Sequence, residues 1–84
     1  MILIVVRNSL RAEALRRFAP EGIEVVEAGH GSTMGLRLTH AFIAPDVFGA
    51  SPDTDKRILE WIECSVKTRL KPGGGLHYLD SAPR

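Results

Sequence analysis

The run ILIVV at 2–6 is apolar at five successive positions, four of them β-branched. A strand with one face in water alternates apolar and polar residues. A strand with no polar residue is covered on both faces, which is the usual state inside a parallel sheet. This run assigns the chain to the α/β class, with helices packed on the sheet in two or three layers.

The segments that follow agree with that class. Asn8 or Ser9 is placed to cap a helix running to about Phe18, with Leu10, Ala14, Leu15 and Phe18 on one face and Glu13, Arg16 and Arg17 opposite. Ala19-Pro20-Glu21-Gly22 ends it, and IEVVEA at 23–28 reads as a second strand. Strand, helix and strand in so short a span make a βαβ unit with parallel strands. LTHAFIA at 38–44 is a third strand, closed by Pro45. Ten residues from the second strand to the third are tight for a crossover and generous for a hairpin. The apolar character of all three strands favours the parallel arrangement, with the first strand in the middle. Ser51 caps a second helix with Pro52 at its first position, acids at its start, and Ile58, Leu59, Ile62, Val66 and Leu70 as its apolar stripe. PGGG at 72–75 reads as a linker. LHYL at 76–79 is a candidate fourth strand, and 80–84 a frayed tail. The expectation is one α/β domain over 1–84, in the order β-α-β-β-α, with a mostly parallel sheet of three strands or four.

The bulk properties narrow the function classes. At 84 residues the chain buries only about 60–65% of its unfolded surface, so its core is thin. A net charge of +1 provides no general basic field, which argues against nucleic acid as a partner. The apolar run at the start is too short to span a bilayer and no basic segment precedes it, so no membrane association is expected. The single cysteine, Cys64, forms no internal disulfide and fits a reducing compartment. The cytoplasm is the expected location.

AGHGSTMGLR at 28–37 is the densest cluster of glycine and hydroxyl residues. A phosphate-binding loop of the nucleoside triphosphatase kind needs a lysine, and the first lysine in the chain is Lys56. A dinucleotide fingerprint follows a first strand and precedes a helix; this stretch lies between two strands. A nucleophile elbow centred on Thr33 fails for the same reason. The plain reading is a turn in which glycine supplies positive φ, with Gly31 or Gly35 as the residue that does so. His30, His40 and His77 match no standard zinc spacing, so neither a metal site nor a cofactor is expected, and His40 reads as a hydrogen-bonded strand histidine. A His30–Ser32–Asp46 hydrolytic set lacks an elbow and an oxyanion arrangement. No catalytic residue is assigned.

A parallel sheet gathers its strand-to-helix loops at the carboxyl edge, where open α/β sheets bind ligands. That edge would collect Arg7, Asn8, Ser9 and Arg11, then His30, Ser32 and Thr33, then Asp46. Of these, Arg7, Asn8, Ser9, Arg11, His30, Ser32 and Thr33, with the free N–H groups of the first helix, compose a candidate anion site. The alternative for Arg11 is that its stem packs on the core rim and its guanidinium reaches water. Trp61, at the margin of the second helix's stripe, is either core rim or an interface anchor. Small thin-cored domains often complete themselves by association, so a homodimer is expected with Trp61, Ile58 and Leu59 at or near the contact.

Residues 33–46, TMGLRLTHAFIAPD, resemble a segment of helicase and phage terminase ATPase cores, where a Gly–Leu–Arg turn enters an apolar strand ending in acids. Pro45 occupies the place of the first metal-binding acid, Asp46 is displaced by one, and the phosphate loop is missing. The resemblance therefore implies a half-domain that has lost nucleotide hydrolysis. In size and composition the chain is also similar to small α/β accessory proteins of actinobacterial phages, which would place it in a host cytoplasm. The functional expectation is a non-enzymatic α/β interaction module that engages a protein partner. The alternative is an anion- or nucleotide-binding domain that uses the carboxyl edge.

Overall fold

The computed structural model describes residues 1–29, 35 and 37–79. The expected ILIVV strand is β1, Ile2–Val6, and it lies inside a four-stranded sheet. β2 spans Ile23–Glu27, β3 Leu38–Ile43 and β4 Leu70–Tyr78, in the spatial order β2-β1-β3-β4. Every neighbouring pair is parallel, so the third strand takes the parallel arrangement. The helices are α1, Ser9–Arg16, and α2, Pro52–Trp61. The reading of 80–84 as a frayed tail lies outside the described residues.

Register shows how the two helices divide the sheet. Val26, Val5, Ile43 and Tyr78 form one row across it, and Glu24, Leu3, Ala41 and Leu76 another. Leu3, Val5, Ala41 and Ile43 are fully enclosed on this face, and Ile58, Ile62 and Val66 supply the apolar cover. The opposite face shows a gradient along Val25, Ile4, Phe42 and His77. Val25 is buried, Ile4 and Phe42 are half-buried, and His77 is exposed. α1 packs on β1 and β2 and leaves the β3–β4 half of this face open. The architecture is three layers, with one outer layer covering only half of the sheet.

Three sequence expectations need correction. First, α1 does not bury Leu10, Ala14, Leu15 and Phe18. Its buried residue is Ala12; Leu10 is 78% exposed, Phe18 86%, and Ala14 and Leu15 are also exposed. The helix is held by Asn8 capping the Arg11 N–H at 2.8 Å and by Arg16 Nε donating to the Val25 carbonyl at 2.8 Å. A small residue lets it lie close against the strands. It ends at Arg16, and Phe18 and Ala19 bond back three residues instead of four, so Phe18 leaves the expected wheel position.

Second, α2 does not continue as an α-helix to Leu70. It widens into a π segment, Ile62–Val66, then tightens into a 3-10 turn, Lys67–Arg69. Residues four apart drift about 40° round an α-helix. A wider turn takes that drift back, which keeps Ile58, Ile62 and Val66 over the sheet. Leu59 points away and is 45% exposed, while Leu70 begins β4.

Third, PGGG is not a linker. It lies within β4, where the register with β3 shifts from Leu38↔Leu70 to His40↔Gly75. The additional residues form an irregularity in an edge strand, which tolerates Pro72. Gly73 has φ of 83°, a conformation glycine adopts freely.

Candidate carboxyl-edge site

β1 and β3 are adjacent, and the chain leaves β1 for β2 on one side before returning to β3 on the other. This reversal forms a crevice at the carboxyl ends of the strands. Asn8 spends its side-chain oxygen on capping α1. Arg11 crosses the crevice: its Nη1 donates to Asp46 Oδ2 at 2.6 Å. Asp46 stands in the short 3-10 turn Pro45–Val47 that follows β3. Arg11 thus brings a neutralised charge to the edge, and its pairing with Asp46 joins the first turn of α1 to the loop after β3. Asp46 Oδ1 is buried and has no hydrogen-bond partner among the described residues. Ser9 is exposed at the start of α1. His30, Ser32 and Thr33 of the expected anion set lie outside the described residues, as does Gly31. Gly35 has φ of 80° and Gly29 of 78°, so the connection after β2 does use glycine for positive φ.

The cavity of this edge sits beside the crevice, on the α2 side. It has a volume of about 350 Å³. Arg7 enters from the end of β1, Glu27, Ala28 and Gly29 from the end of β2, and Val47 from the turn after β3. α2 contributes Thr54, Arg57, Ile58 and Trp61, which recur at three or four residues and so share one helical face. Ser51 positions this start of the helix: its Oγ accepts from the Thr54 N–H at 3.1 Å and donates to Thr54 Oγ1 at 2.9 Å. Thr54 keeps its own hydroxyl proton for another acceptor. Asp55 holds the preceding loop by accepting from the Gly49 N–H at 3.1 Å and 3.2 Å.

The lining carries two arginines against one glutamate, so its charge is positive, with the Trp61 ring and the Val47 and Ile58 side chains as its apolar part. Such a mixture suits a ligand with an anionic group and an apolar body. Sequence reasoning placed Arg7 at this edge but missed Arg57, Thr54 and Glu27. The signal was present for α2: Thr54, Arg57 and Trp61 lie three or four residues apart beside the apolar stripe. Of the three expected interface residues, Ile58 belongs to the core, Trp61 is half-buried on the cavity, and Leu59 is exposed. No described helix is long and apolar enough to cross a membrane. Comparison with protein families, with curated proteins and with solved structures finds no match.

Proposed function

We propose that this chain is a non-enzymatic binding module that takes a small organic anion, a phosphate- or carboxylate-bearing molecule, at the carboxyl edge of its sheet. The observation that carries this reading is the convergence of Arg7 and Arg57, from a strand end and a helix, on one cavity that also presents Trp61 and Thr54. The guanidinium groups hold the anion through charge-assisted hydrogen bonds. The Thr54 hydroxyl adds a donor, and Trp61 packs against the apolar body.

Thermal denaturation with inorganic phosphate, pyrophosphate and adenosine monophosphate tests the reading. A ligand of the folded state stabilises by about 2.7 kcal/mol at a hundredfold excess over Kd. In a domain of this size that raises the melting temperature by roughly 10–20 °C. Arg57→Ala cuts the rise to about half or less, the effect of a loss of about tenfold or more in affinity. Arg17→Ala, an exposed residue at the end of α1, retains it. A flat response to all three probes overturns the reading.

A second reading, that the chain engages a protein partner or its own copy, rests on a separate observation. Leu10 and Phe18 are large apolar side chains exposed on and just beyond α1. On this reading light scattering under reducing conditions gives a dimer that Phe18→Ser dissociates. A wild-type monomer at high micromolar concentration removes self-association.

A further inference from the structure

The half of the sheet face that α1 leaves open carries three rings. His40 and Phe42 project from β3 and His77 from β4, and the parallel register sets His40 beside Gly75 and Phe42 beside His77. Phe42 stacks on His77, with ring centroids 5.0 Å apart and planes at 20°. From there the His77 ring leans over Gly75 toward His40. The missing side chain of Gly75 makes the space: a Cβ there would lie 2.5 Å from His77 Nε2 and 3.2 Å from His40 Nδ1. His77 Nε2 and His40 Nδ1 thereby stand 3.4 Å apart on two exposed side chains.

We propose that His40 Nδ1 and His77 Nε2 chelate one first-row transition-metal dication, of the zinc, nickel or copper class. Two nitrogens bound at about 2.0–2.1 Å to a tetrahedral zinc ion are about 3.3 Å apart. The observed separation meets that requirement; without a metal the same two nitrogens share a long hydrogen bond, which a dication would replace. Imidazole pairs suit zinc, nickel and copper; magnesium and calcium take oxygen ligands. In the metal-bound form the ring protons sit on His40 Nε2 and His77 Nδ1, and each facing nitrogen offers its lone pair. No group of three or more histidine, cysteine, aspartate or glutamate residues placed to hold a metal occurs among the described residues. With these two protein ligands, water would complete the coordination, and the ion would be exchangeable instead of structural. Gly75 and Phe42 set the orientation of His77, Gly75 by leaving space and Phe42 by stacking.

Isothermal titration with zinc chloride tests the site, in a Cys64→Ser background that removes the exposed thiol. The expected result is one zinc ion per chain. A chelate needs both ligands, so His40→Ala and His77→Ala each weaken binding by at least about tenfold. Gly75→Ala weakens it as well, because the new Cβ displaces the His77 ring while both histidines remain. Circular dichroism confirms folding of each variant; should Gly75→Ala unfold, the two histidine variants decide alone. Absence of zinc binding, or wild-type affinity in either histidine variant, overturns the proposal.

Discussion

Ile62→Ala unfolds this domain at a much lower temperature than the wild type. Ile62 is fully enclosed within the π segment that follows α2. It stands between Ile58 and Val66 in the set of side chains that seals one face of the sheet. Truncating a buried isoleucine costs about 2–5 kcal/mol, the transfer term plus the cavity left behind. Each kcal/mol lowers the melting temperature of a domain this size by about 4–8 °C, so a fall of roughly 10–40 °C is expected. Leu59→Ala, three residues earlier and exposed, changes stability by no more than about 0.5 kcal/mol. Leu10→Ala behaves like Leu59→Ala, because Leu10 stands in water despite its place in the expected apolar face of α1. Scanning calorimetry of the three variants separates the observed packing from the wheel-based one. Equal losses at Leu10 and Ile62 would restore the latter.

Gly74→Ala gives the second large effect. A Cβ at Gly74 would meet the Thr39 carbonyl oxygen at 2.7 Å and the Lys71 carbonyl oxygen at 2.9 Å. Both are backbone atoms, so neither can swing aside. The clash falls where β4 changes register against β3, and relief requires the strands to separate locally. Overpacking of this kind costs about 1–3 kcal/mol. Hydrogen exchange should show the loss concentrated in the amides of β4. Gly29→Ala, in an open turn with no atom within 4 Å of the added Cβ, pays only for its φ of 78°, about 1–2 kcal/mol. Gly74→Ala at wild-type stability would show that the irregularity in β4 is misplaced.

The parts of this fold that were legible are those encoded locally. ILIVV declared a doubly covered strand, and β1 lies inside a parallel sheet. Asn8 and Ser51 declared helix starts, and each caps its helix. The face of α1 was not legible. A helical wheel weighs hydrophobicity, whereas a helix lying close to its strands places an alanine inward, here Ala12. PGGG passed for a linker because glycine and proline report a departure from regular backbone without saying whether pairing continues beyond it. The site residues divide in the same way. Arg7 and Asn8 were placed at the carboxyl edge by the strand before them. The Arg11–Asp46 pair spans 35 residues and the His40–His77 pair 37, and only strand order and register bring either together. The spacing of His40 and His77 along the chain carries no metal signature, yet the β3–β4 register puts them on one surface.

The most direct measurement of the proposed function uses Trp61, the only tryptophan in the chain. Its ring lines the cavity beside Arg7 and Arg57, so its fluorescence reports on that site alone. Titration with pyrophosphate and with adenosine monophosphate should give a saturable change in emission for a probe that binds. Arg7→Ala and Arg57→Ala should each weaken binding by about tenfold or more, the loss of a hydrogen bond to a charged group. Arg17→Ala should leave the curve unchanged. A Trp61 emission that stays constant with both probes, or a response that all three arginine variants reduce equally, would contradict a binding site at the carboxyl edge.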